Sequence, residues 1–338
     1  MKEELDIKIN RIIVHILDMD LDMPLLSDEE HPRDSEIADF LEGHLAKAFS
    51  DDNLRSASFK DESKLLDIFQ GLLENKDNYI GYTSDIAKML YDVIIHYPDI
   101  PSGDLVCTLF DVDGAPYFGI LKFNYKNSFI HYVNMMDDKK VNSIIKQRTT
   151  LPGENQKVDE CILVNLNDYS MKVIEKKYEI NGEETYYLSS MFLDSISEMS
   201  KKEKVKVFKK AVDNFGKKHL KDDLEAAGNF AAAITECIET NEMIDIAMVA
   251  ENTFKKSPEM KKEFIEHIEM TGIEEKELHV DKEIADKVFK KHKIKTDSGI
   301  EISLPYDFFK DRERMEFINN PDGTISIMIK NVNKIVNW

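Results

Sequence analysis

Asp104-Leu-Val-Cys-Thr-Leu-Phe-Asp-Val-Asp-Gly-Ala-Pro-Tyr-Phe-Gly-Ile-Leu-Lys-Phe-Asn-Tyr-Lys126 is the stretch that decides the fold. Residues 105–112 and 117–123 are apolar at nearly every position. Asp113-Gly114 between them is the dipeptide that accepts positive φ in a two-residue hairpin turn. A strand with one wet face alternates polar and apolar residues. Two strands that are apolar throughout belong instead at the centre of a sheet covered on both faces.

Outward from this hairpin, the N-terminal side reads as a strand over 7–17, an acidic turn, and a helix from about Ser35. Two more helices follow, one carrying Leu65, Phe69 and Leu72, the other with Ser84 as N-cap and Ile86, Leu90 and Ile94 on its apolar stripe. Pro98 and Pro101 close that helix. On the C-terminal side, strands are predicted at 128–135, 161–166, 171–178 and 185–188, separated by Asn167-Asp168 and Asn181-Gly182. From about Phe192 to Glu275 the periodicity is helical. A short helix at 281–291 and further strands end the chain, with Pro321-Asp322-Gly323 turning into a half-buried strand at 325–329. Helices followed by strands, without strict alternation, predict an α+β fold. The expected organisation is a mixed domain over 1–195 with a largely antiparallel sheet, then 196–338, a helical region with a smaller α+β end.

At 338 residues the chain suggests two domains, and 42% hydrophobic with 33% charged residues is a globular composition. No apolar run reaches membrane-spanning length, and Met1-Lys-Glu-Glu-Leu-Asp lacks the apolar core of a signal peptide. Cys107, Cys161 and Cys237 show no CxxC spacing, so they are expected to be buried, reduced thiols rather than a disulfide framework or zinc site. The net charge of −20 is unevenly spread. Residues 1–104 carry 24 acids and 10 bases, and 222–279 carry 15 and 5, whereas 105–221 carry 16 acids and 19 bases. Any contact with a polyanion is therefore confined to a minority of the surface.

The wording of the hairpin resembles the bacterial nucleoid-associated protein family (YejK/NdpA-like). Four further blocks are similar to that family: Leu151-Pro-Gly-Glu-Asn-Gln-Lys-Val-Asp-Glu-Cys161, Glu175-Lys-Lys-Tyr178, Lys293-Ile-Lys-Thr-Asp-Ser-Gly-Ile-Glu301 and Asn320-Pro-Asp-Gly-Thr-Ile-Ser-Ile327. They span most of the chain. The resemblance implies a cytoplasmic protein associated with the bacterial chromosome, and it brings no catalytic residue with it.

Ser200-Lys-Lys-Glu203 fits a capping box, and the helix it opens runs through Lys221. Val205, Phe208, Ala211, Val212 and Phe215 form one apolar stripe. Lys202, Lys206, Lys209, Lys210, Lys217 and Lys221 spread over the opposite face. Residues 201–221 hold nine lysines against two acids. The functional reading is a face that contacts DNA phosphates. The bland reading is a solvated helix whose lysines offset the acidic stretch beginning at Asp222. A weaker second cluster is Lys287, Lys290, Lys291, Lys293 and Lys295. Lysines without arginines predict point-charge phosphate binding rather than base readout, hence sequence tolerance.

Other chemistry is weaker. Asp18, Asp20, Asp22 and Glu29 mimic a calcium loop, but Met23 stands where glycine is needed. Asp159 or Glu160 followed by Glu175-Lys176-Lys177 resembles the acid and Glu-x-Lys spacing of metal-dependent nucleases, in which carboxylates hold Mg²⁺. His15 and His131, in apolar strands, are expected to be core residues. The expected protein is a non-enzymatic binder of double-stranded DNA without cofactor or metal, using the Lys201–Lys221 helix and Lys290, Lys291, Lys293 and Lys295. The alternative is an interaction module that reaches the nucleoid by binding a basic protein partner at its acidic surface. Its Met-rich stretch (Met243, Met248, Met260, Met270) would be either core or binding stripe. No membrane is expected, and a homo-oligomer stays open.

Overall fold

In the computed structural model, the described residues are 5–60, 63–136, 139–220, 230, 233–238, 240, 242–255, 257–289, 291–305 and 313–334. The chain divides into two compact units, 1–200 and 201–338. The fold is α+β, as expected from the sequence.

In the first unit, β1 (Ile7–Leu17) is followed by α1 (Ser35–Phe49), β2 (Arg55–Phe59), α2 (Lys64–Glu74) and α3 (Tyr79–Ile94). Next come β3 (Gly103–Val112), β4 (Ala115–Asn124), the ribbon strands β5 (Lys126–Met136) and β6 (Lys139–Thr150), β7 (Glu160–Asn165) and β8 (Met171–Ile174). Strands β9 (Lys177–Ile180), β10 (Glu183–Tyr186) and β11 (Ser195–Ser197) complete it. Seven strands form one sheet in the order β1-β3-β4-β7-β8-β2-β11, antiparallel at every described pairing.

The Asp104–Lys126 hairpin sits where its apolar strands demand. Strands β3 and β4 lie inside the sheet, joined by Asp113 (φ 50°) and Gly114 (φ 82°). Alternate side chains serve two separate cores. Leu105, Cys107, Phe118 and Ile120 face Phe69, Tyr79, Ile86 and Leu90 of α2 and α3. Val106, Phe110, Leu121 and Phe123 face Leu41, Leu45 and Ala48 of α1. The result is a helix–sheet–helix sandwich whose middle strands are covered on both faces, which is why they need no polar alternation.

Several expectations need correction. Helix α3 begins at Tyr79, so Ser84 lies inside it rather than capping it; Tyr79, fully buried, donates its hydroxyl to the Cys107 carbonyl at 2.8 Å and anchors the earlier start. The run 171–178 is two strands, because Glu175 and Lys176 break the ladder: β8 stays in the large sheet and β9 pairs with β10. The segment 192–275 is not helical throughout, since β11 pairs with β2 and a strand at Met243–Asp245 pairs with Glu277–His279. His131 is exposed on β5 rather than in a core. Strand β6 is additional to the predicted set.

The second unit begins with α4 (Lys201–His219). Strand β12 (Met243–Asp245), α5 (Ile246–Thr253), α6 (Pro258–Glu269), β13 (Glu277–His279) and α7 (Lys282–Phe289) follow, then the hairpins β14 (Lys291–Lys295) with β15 (Glu301–Pro305) and β16 (Met315–Asn319) with β17 (Ile325–Ile329). Phe215 is the hub of its core, with its ring 5.2 Å from Phe264 and 5.7 Å from Phe254. Gly323 (φ 84°) turns the chain into β17, but Ile325 and Ile329 are exposed, so that strand is not half-buried as the alternation suggested.

Candidate nucleic-acid interface

Helix α4 presents the two faces its periodicity predicts. Val205, Phe208, Ala211, Val212 and Phe215 are buried. Of the lysines opposite, Lys206, Lys210 and Lys217 are exposed, while Lys202 and Lys209 are half-buried. Asp213 falls within this face and pairs with Lys209 one turn away. Lys204, off the main face, pairs with Glu275, and Glu263 lies 3.5 Å from Lys218 and 3.2 Å from His219.

Among the described residues, no carboxylate pairs with Lys206, Lys210 or Lys217. At 1.5 Å rise per residue, Lys206 and Lys210 are roughly 6 Å apart along the axis, and Lys217 lies roughly 10 Å beyond. The positive charge of the helix is thus narrower than nine lysines suggest. Among the described residues its exposed, unpaired part is a row of three, with the exposed Lys201 and the half-buried Lys202 at its start.

Lys221 and Lys290 lie outside the described residues. Lys291, Lys293 and Lys295 occupy alternate positions of β14, in register with Pro305, Ser303 and Glu301. Lys287 falls in α7.

The nuclease-like carboxylates are in the first unit and are occupied internally. Glu175 is buried, accepts from Arg55 Nη1 at 3.0 Å and from the Ser189 amide at 3.0 Å. Burial raises its pKa, against those two interactions. Arg55 also lies 4.2 Å over the Tyr186 ring and donates to the Glu198 carbonyl at 3.0 Å. Glu160 pairs with Lys122, and Asp159 pairs with Lys176 at 2.6 Å and Lys126 at 3.4 Å. Burial opposes ionisation of Asp159, but the Lys176 hydrogen bond and both lysine charges hold it below the usual range. Lys177 stacks over Tyr186 instead of facing a carboxylate. Among the described residues no three His, Cys, Asp or Glu side chains come together to hold a metal ion. Each of the three carboxylates has a basic partner within the first unit.

The three cysteines are buried free thiols, and burial pushes Cys161 up to about 12 and Cys107 higher still. No helix among the described residues is long and apolar enough to cross a membrane.

An α+β protein of two units, with a large antiparallel sheet in the first, is the class these observations define. The chain belongs to the nucleoid-associated protein YejK family, whose model matches residues 13–336, nearly its whole length. No curated protein matches it.

Proposed function

We propose that this family member binds double-stranded DNA directly in the cytoplasm, through the exposed lysines of α4 and without catalysis. The observation that carries the reading is the row Lys206, Lys210 and Lys217, exposed and without a carboxylate partner among the described residues, in a chain of net charge −20. Ammonium groups seek phosphates as point charges and do not read base edges, so binding is largely sequence-tolerant and strongly salt-dependent. Lys202 and Lys209 line the same face, and Lys291, Lys293 and Lys295 supply a secondary contact.

A second reading rests on the acidic segments and on Met248 and Met270, which are exposed, Met270 to 85%. In that case the chain reaches the nucleoid by binding a basic protein partner.

Fluorescence anisotropy of a labelled duplex across a salt series separates the two. Wild-type protein is expected to bind at low salt. Lys206→Ala/Lys210→Ala/Lys217→Ala should flatten the log–log salt slope by about 0.9 for each phosphate that is no longer neutralised. No binding at low salt would leave the protein-mediated reading.

A further inference from the structure

Strands β5 and β6 form a two-stranded sheet of their own, apart from the seven-stranded sheet. At about 3.4 Å per residue, eleven residues make a ribbon roughly 35 Å long. Its apolar side chains are unusually wet: Ile144 is 77% exposed and Phe129 74%, with Val133 and Met135 also exposed. Residues directly opposite in the register share a face. Phe129 stands opposite Lys146, His131 opposite Ile144, and Met135 opposite Lys140. One face therefore carries both apolar and basic groups, interrupted by the Val133–Asn142 pair, with Arg148 two residues beyond Lys146 where the register shifts.

The charge of the ribbon is as distinctive as its exposure. Residues 126–150 hold five bases, and their two acids, Asp137 and Asp138, lie outside the described residues. Lys126 is neutralised by Asp159. Among the described residues no carboxylate pairs with Lys140, Lys146 or Arg148. So many exposed large apolar side chains on one ribbon mark a partner site. A second copy stacking ribbon on ribbon would bring three unpaired cations of each chain together. A polyanion has the opposite sign.

We propose that the β5–β6 ribbon is a second duplex-DNA contact. It lies along a groove, with Lys140, Lys146 and Arg148 on backbone phosphates and Phe129 and Ile144 against the groove floor. The B-DNA major groove admits a two-stranded ribbon, and apolar side chains wedge into base steps in proteins that bind the minor groove. The inference rests on the reading that this chain binds DNA directly, but the ribbon belongs to the first unit and α4 to the second, so the two surfaces can be removed separately.

The test is duplex anisotropy across a salt series with the full chain. Lys140→Gln/Lys146→Gln/Arg148→Gln should flatten the slope by about 2.7, three phosphates at about 0.9 each. Phe129→Ser/Ile144→Ser should weaken binding on the order of tenfold at every salt concentration and leave the slope alone. A misfolded fraction lowers the amplitude but not the slope, and thermal melting checks the fold. Ribbon variants that bind like wild type, while the α4 triple variant loses slope, would overturn the ribbon and leave the proposed function standing. Failure of the wild type to bind would overturn both. Sedimentation velocity covers the other occupant: a wild-type dimer abolished by the ribbon variants, with an unchanged DNA slope, would make the ribbon a self-association surface and overturn the proposal.

Discussion

Lys122 and Glu160 are direct cross-strand partners on β4 and β7, with Nζ 3.0 Å from Oε2 and both side chains almost completely buried. Nζ also donates to the Pro101 carbonyl at 2.8 Å and to Asn124 Oδ1, and Tyr187 donates its hydroxyl to Glu160 Oε2 at 2.9 Å. Burial lowers the Lys122 pKa, while Glu160 works to raise it. The pair ties the central hairpin to β7 and to the segment around Tyr187.

Removing one partner leaves the other charge buried and uncompensated, a loss of about 3–5 kcal/mol. Lys122→Met is therefore expected to lower the urea midpoint sharply. Lys122→Met/Glu160→Met should recover part of that loss, and a double variant less stable than the single would sink the account.

Glu175 is expected to behave as a structural carboxylate. Glu175→Ala strands the Arg55 guanidinium and the Ser189 amide and should destabilise the first unit by about 3 kcal/mol. Mg²⁺-dependent DNA cleavage measured in parallel decides the alternative. Cleavage by the wild type that disappears in Glu175→Ala and Lys177→Ala would make the site a nuclease.

His44 lies between Phe40 and Phe123, with ring centroids 4.5 and 5.4 Å away, and neither ring nitrogen has a partner among the described residues. Burial first, then the charges of Lys47 and Lys126, lower its pKa to about 4; burial does the same to His15. In the unfolded chain each imidazole takes up a proton near pH 6.5, whereas in the folded state it does so only near 4. Stability is thus fully present above about pH 6.5 and declines as pH falls toward 4, by at most about 3 kcal/mol per imidazole. His44→Leu should flatten urea midpoints measured between about pH 7 and pH 4.5. An unchanged pH dependence would contradict the assignment.

Two glycines should respond in opposite directions to a methyl group. A Cβ on Gly103 would meet the Phe123 carbonyl oxygen at 2.5 Å, a backbone atom that cannot swing aside, so Gly103→Ala is expected to cost about 1–3 kcal/mol. Gly216 lies inside α4 with nothing within 4 Å of its Cβ position, so Gly216→Ala should stabilise the second unit by about 0.5–1 kcal/mol. Its thermal midpoint should rise while the DNA salt slope stays put.

Local pattern alone determined much of this protein. The Asp113-Gly114 turn, the doubly covered hairpin, the helix starting at Ser35 and the apolar stripe of α4 are all legible in sequence, because each depends on turn chemistry or on a period within a few residues. The family is legible for a related reason, since its motifs are contiguous words along the chain. What the pattern cannot say is which charges survive folding. Asp213 neutralises Lys209 within α4, and Glu275 reaches Lys204 from 71 residues away. Glu175, which reads like a catalytic acid, closes on Arg55 across 120 residues. The β5–β6 ribbon is only half legible, because its apolar residues match a core strand in composition. Only the absence of a covering layer among the described residues makes them surface. Alternation and capping are short-range and written in sequence, whereas charge pairing and solvent exposure are properties of what the rest of the chain brings alongside.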